Sequence, residues 1–186
     1  MEVILETKDL TIKFGGHVAV NNVSIQIEKN KLKSIIGPNG AGKTTFFNML
    51  SGQLKPSDGT VMYKGQDITS LSPTVRTRLG IGRSFQITNV FPHLTSHENV
   101  RLAVQSQFGV RYNLIKHFKH YKEINVKTEK LLRTVMLENK ANEVAINLAH
   151  GEKRKLEIAM LLALESEVLL LDEPTAGMSL EEVPMI

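Results

Sequence analysis

Hydrophobic and polar positions change rhythm along the 186 residues. Over the first third the pattern is short. Residues 3–7, 10–14 and 23–27 alternate or run apolar, with Gly15-Gly16 and Asn21-Asn22 between them, which predicts strands joined by tight turns. Residues 32–36, with Leu32, Ile35 and Ile36, form a short apolar run ending at Gly37, which suits a buried parallel strand. Residues 44–50 then show helical spacing, and residues 60–63 and 81–84 are further short strand candidates. Beyond Gln86 the period lengthens: 96–107, 124–137 and 152–164 read as helices before 168–171 returns to an apolar strand. Strands on both sides of a helical block predict an α/β core with a helical insertion, roughly residues 88–150.

Composition narrows this picture. Apolar residues make up 41% and charged residues 23%, the balance of an ordinary globular domain. The length suits one domain, or one core carrying a smaller insert. There is no cysteine, so disulfide scaffolds, thiol nucleophiles and thiolate metal sites are excluded. Glu2, Glu6 and Asp9 interrupt the opening residues, which therefore do not read as a signal peptide. Apolar runs such as 158–164 fall short of a bilayer span, so work at a membrane would need a partner to hold the chain there. The formal net charge is +4, and its basic side is concentrated. Between Arg111 and Lys140 stand eight Lys or Arg against three acids, with Tyr112, Phe118 and Tyr121 interleaved. A nucleic-acid patch has this composition, and so does a solvated helix face with its aromatics turned inward. The six histidines show no metal spacing and read as surface or packing residues.

One segment carries specific chemistry. Gly37-Pro38-Asn39-Gly40-Ala41-Gly42-Lys43-Thr44 fits G-x-x-x-x-G-K-[ST] and lies between the apolar run and a predicted helix. A triphosphate is a dense anion, held by backbone N–H groups converging from a loop at a helix N-terminus. Side chains would block that approach, so the glycines leave room for it. Lys43 would reach the β and γ oxygens as a mobile point charge. The Thr44 hydroxyl would ligate Mg²⁺, which takes few protein ligands, and Thr45 completes the nucleotide-contacting set. At the far end of the chain, an apolar run delivers Asp172 and Glu173 to the carboxyl end of a strand, where open α/β sheets bind ligands. Asp172 is placed for the Mg²⁺ shell and Glu173 to orient or deprotonate an attacking water.

Together with Leu148-Ala149-His150-Gly151-Glu152 and the helix that follows, these motifs resemble the nucleotide-binding subunit of ABC transporters. Phe85-Gln86 resembles the family's Q-loop, Ala176-Gly177-Met178-Ser179 its D-loop, and Phe14 the aromatic on which adenine stacks. Residues 148–152 resemble the signature motif, and that element sets the chain apart from GTPases. Phe14-Gly15-Gly16, Asn21-Asn22-Val23, Ser84-Phe85-Gln86 and Asn147 to Gly151 are most similar to the ATP-binding protein of branched-chain amino acid importers. Lipopolysaccharide-export and urea-import ATPases are similar as well.

The resemblance implies a P-loop NTPase core of the α/β class, with an N-terminal antiparallel β subdomain and a helical insertion. On this reading the core comprises 1–87 and 151–186, and the helical subdomain 88–150. It implies ATP and Mg²⁺ as cofactors, with Gln86 sensing the metal or the water. It also implies a second ATP-binding subunit, transmembrane permease subunits and a solute-binding protein as partners, no nucleic acid, and a peripheral place on the cytoplasmic side of the cell membrane. In the family, each of two ATP molecules is clamped between one subunit's phosphate loop and the other's signature motif. Two positions depart from the general pattern: Ala149 stands where most members have Ser, and Ser179 where Asp is usual.

The family places a switch His at the end of the next strand. Only 14 residues follow Asp172 here and none is His, so the fold is expected to be C-terminally incomplete, with apolar surface and strand edges uncovered. Two alternatives to a transport ATPase follow from the residues. The basic insertion suits a soluble ABC ATPase acting on ribosomes or nucleic acid, and the missing His suits a non-hydrolysing ATP-binding fragment.

Overall fold

The computed structural model describes residues 2–84, 90–108 and 122–172. The chain divides into two compact units, Met1–Arg83 with Glu167–Leu170 and Ser84–Ser166 with Leu171–Ile186.

The first unit is built on a hairpin of two long strands, β1 (Val3–Phe14) and β2 (His17–Glu28). Where the apolar pattern breaks at Lys8-Asp9 and at Asn21-Asn22, the strands do not end. They bulge. Asp9 and Asn22 each take φ 49, and the register shifts between Thr7 and Leu10. Buried threonines satisfy the backbone at these irregularities: the Thr7 hydroxyl donates to the Val23 carbonyl (2.9 Å) and accepts from the Ile25 amide (3.1 Å), and Thr11 accepts from the Asn22 amide (2.9 Å). With β3 (Asp58–Tyr63) and β4 (Gln66–Asp67) these strands form an antiparallel sheet in the order β2-β1-β3-β4. A parallel pair, β5 (Ile81–Arg83) with β6 (Val168–Leu170), belongs to the same unit. Helices α1 (Lys43–Leu50) and α2 (Pro73–Leu79) complete it. Helix α2, unmarked by the apolar periodicity, starts on Ser72 with Pro73 in its first turn and stops at Gly80. Leu5, Leu10, Phe46, Met49, Leu50, Val61, Ile81 and Val168 share one core.

Residues 32–36 depart from expectation. They run without a ladder among the described residues, and Leu32 and Ile36 are each 93% exposed. An apolar run becomes a buried strand only where neighbours pair its backbone and cover its faces, and the described residues supply neither.

The second unit is helical: α3 (Ser96–Gln107), α4 (Lys122–Thr134) and α5 (His150–Ala163), with single 3₁₀ turns at Glu138–Lys140 and Ala145–Asn147. Val100, Val104, Ile124, Leu132, Leu148, Leu156 and Ala159 form its core. Helix α3 opens on a capping box, Thr95 accepting the Glu98 amide while the Glu98 carboxylate accepts from Thr95. Buried Asn99 holds the preceding turn, accepting from the Phe91 amide (2.8 Å) and donating to the Phe91 and Thr95 carbonyls (3.1 and 2.9 Å). That turn in turn receives the segment before α5, through the Ala145 and Ile146 amides donating to Leu94 and Pro92 (both 2.9 Å).

Candidate functional site

The phosphate-loop residues lie in the first unit, at the start of α1. Gly42 is the N-cap, with φ 84 and ψ 7, and no side chain caps the helix. The amides of the first turn are thus left at the positive end of the helix dipole. A Cβ on Gly42 would stand 2.4 Å from the Ala19 carbonyl oxygen, so only glycine lets the loop pass this close to β2. Gly40, at φ 82, has open space where a Cβ would be, and Gly37 faces the Ala41 methyl. The Ala41 amide donates to the Pro38 carbonyl (3.2 Å), turning the chain through exposed Asn39 and Gly40. Lys43 folds back along the loop, its Nζ donating to the carbonyls of Gly37 (2.6 Å) and Pro38 (2.9 Å). Two ammonium hydrogens close the loop on itself, and the positive charge is held at its rim.

Thr44 and Thr45 follow on the first turn of α1, half-buried. Phe46, Met49 and Leu50 drive the other face of the helix into the core and so fix the loop. Phe14, the last residue of β1, pairs with His17 across Gly15-Gly16 and is 49% exposed. Its ring is open to solvent on the hairpin whose second strand receives Gly42.

The signature-like segment lies in the second unit. Leu148 is buried in the core, while Ala149 and His150 are exposed. Ala149 is the N-cap of α5 and offers no side-chain acceptor. Its own amide donates to the Glu152 carboxylate (2.9 Å), one half of a capping box. The amides of the first turn, Gly151 among them, therefore carry no hydroxyl cap, and an anion at this helix start would meet donors that a serine would otherwise occupy.

Asp172 is buried in the same unit. Its amide donates to Ser84 Oγ (3.1 Å) and its carbonyl accepts from Arg154 Nη2 (3.1 Å). Arg154 in turn donates from Nη1 to Glu157 Oε2 at 2.5 Å. Arg154, which the motifs did not single out, thus ties α5 to the main chain of Asp172, with Glu157 holding its guanidinium. The spacing of Arg and Glu three apart was a visible signal, though their burial was not. Gln86 and Glu173 lie outside the described residues, as do Phe85, the D-loop residues Ala176 to Ser179, and the basic stretch up to Tyr121.

Comparison with known proteins gives one consistent answer. Residues 20–176 match the family model described as ABC transporter. The high-affinity branched-chain amino acid transport ATP-binding protein LivG of Escherichia coli strain K12 is 38% identical over 184 residues, covering 96% of this chain and 72% of its own length. BraF of Pseudomonas aeruginosa, with the same description, is 37% identical over 185 residues at the same coverage. Among solved structures, an ATP-binding cassette of an ABC transporter in its ADP conformation superposes with TM-score 0.83 at 28% identity, covering all of this chain and 74% of that one. A dimeric post-hydrolysis cassette bound to ADP and Pi gives TM-score 0.82 at 27% identity, covering 98% of this chain and 79% of that one.

Proposed function

This chain belongs to the ABC transporter family, and from that premise we propose that it is the ATP-hydrolysing subunit that powers a branched-chain amino acid importer. One observation carries the nucleotide part: a glycine-capped helix start with Lys43 folded over the carbonyls of Gly37 and Pro38. Backbone amides there surround the phosphate chain, Lys43 turns its remaining hydrogen toward the terminal oxygens, and Phe14 stacks on the adenine. Thr44, Gln86 and Asp172 are the residues assigned to hold Mg²⁺, which when bound would supply charge neutralisation at the phosphates. Glu173 and Gln86 are assigned to the attacking water. The N-terminus of α5 at Gly151 meets the γ-phosphate of an ATP held by a second copy. Closing around ATP then moves permease subunits at the cytoplasmic face of the membrane, where the chain is peripheral. No helix among the described residues is long and apolar enough to cross a bilayer, and the permease supplies the attachment.

The amino acid assignment is supported by the relatives' descriptions and by Ala149, which the importer branch resembles. Co-expression tests it. A tagged chain is expected to retain the permease pair of a branched-chain amino acid importer through detergent purification, and to leave that of a lipopolysaccharide exporter behind. The opposite selection would move the assignment to export.

A further inference from the structure

Arg76 is the largest fully enclosed side chain of the described residues, 1% exposed. It sits on α2, away from every motif above. Its guanidinium donates from Nη1 to the carbonyls of Met49 and Leu50 (both 2.8 Å), from Nη2 to that of Thr69 (2.8 Å) and from Nε to that of Leu71 (3.1 Å). All four acceptors are backbone oxygens. Asp67 acts on it only through space, its own carboxylate being engaged by the Thr69 amide. Burial pushes the guanidinium down to about 10, which leaves it charged at neutral pH.

Met49 and Leu50 end α1, the helix whose first residue is Lys43. A helix C-terminus presents orphan carbonyls and the negative end of the dipole, and a buried cation there answers both. Gly52, just beyond, takes φ 81, and a Cβ on it would lie 2.8 Å from Arg76 Nε and from the Leu71 carbonyl oxygen. A side chain at that position would push the guanidinium off its acceptors. Arg83 adds a second anchor by donating from Nη1 to Ser51 Oγ (2.6 Å), at the helix C-cap. An eight-residue helix is about 12 Å long and moves as a rod, so what fixes its rear end fixes the loop at its front.

We propose that Arg76 is a positioning residue for nucleotide binding, clamping the rear of α1 to residues 69–71 so that Lys43 and the loop amides keep one register against the phosphates. The proposal rests on reading Gly37 to Thr44 as the phosphate loop. Lysine cannot replace the clamp, because one ammonium lacks the planar fork that reaches carbonyls on separate segments. A loop displaced by about 1 Å forfeits on the order of 10- to 100-fold in its action on the ligand.

The test uses the 186-residue chain with MgATP as the probe, titrated calorimetrically into wild type, Arg76→Lys, Arg76→Met and Gly52→Ala, each at a temperature where its melting curve shows full folding. Hydrogen exchange of the α1 amides is followed in parallel. Folded Arg76→Met is expected to bind MgATP at least about 10-fold more weakly, with Arg76→Lys and Gly52→Ala between it and wild type and faster exchange confined to α1. If Arg76→Met does not fold, the two milder variants decide. A lowered melting temperature with wild-type affinity in the folded protein would mean a purely structural role and would overturn the proposal. If wild type itself binds no MgATP, the phosphate-loop reading fails instead. The clamp is then judged by exchange alone, and unchanged α1 exchange in Arg76→Lys would overturn it.

Discussion

Arg154 Nη2 donates to the backbone carbonyl of Asp172 at 3.1 Å while its Nη1 holds Glu157, and all three residues are buried. The second turn of the signature helix therefore fixes the main chain at the acid assigned to the metal. A buried ion pair is weak evidence of net stability, since desolvation opposes the Coulomb gain, but removing one partner strands the other. Glu157→Gln is expected to cost about 3–5 kcal/mol by urea unfolding, and the double change Arg154→Met with Glu157→Leu less than either single change. Additive losses in the double variant would contradict this account of the pair.

The two loop glycines should separate by mechanism. Both have positive φ, but only Gly42 faces a backbone oxygen at 2.4 Å. Gly40→Ala is expected to cost roughly 1–2 kcal/mol, from the left-handed backbone alone. Gly42→Ala should cost more and also weaken ATP binding, because β2 or the loop must move. Paired unfolding midpoints and ATP titrations check the order, and equal effects would refute the close approach at Ala19.

Ala149 caps α5 without a side-chain acceptor. Ala149→Ser should supply one and raise stability by about 1 kcal/mol in thermal or urea unfolding. A loss of stability would show that this helix start has no room for a hydroxyl.

The imidazole of His97 is held below its ordinary range, chiefly by burial and further by Arg101, with Glu129 and Glu98 pulling the other way. The unfolded chain takes up this proton near about pH 6.5, and the folded protein only at lower pH. In that window the unfolded state binds more protons, so stability falls as the pH falls. His97→Gln is expected to flatten the decline of the urea midpoint between pH 7.5 and 5.5. An unchanged slope would remove His97 from the account.

How far the sequence announced this molecule depends on which residues carry the constraint. The glycine-rich turn before α1 was legible because its glycines and Lys43 act through local backbone, and Gly42 stands where a side chain would collide. The strand pattern of β1 and β2 was legible too, though Asn21-Asn22 read as a turn and proves to lie within a continuous strand, with Asn22 at φ 49. Residues 32–36 misled because an apolar run records what a segment could bury, not whether neighbours cover it. The burial of Arg76 and of the pair Arg154–Glu157 was not legible, for the converse reason. Charged side chains ordinarily read as surface, and their burial depends on acceptors brought by distant segments, such as Met49, Thr69 and Asp172.

Calorimetric titration of MgATP into the wild-type chain and into Lys43→Ala probes the nucleotide reading most directly. Wild type should bind one ATP per chain, and Lys43→Ala, which loses the charge held over Gly37 and Pro38, should bind at least about 10-fold more weakly with its unfolding midpoint little changed. Equal affinity in the two proteins, or no heat from wild type, would contradict it.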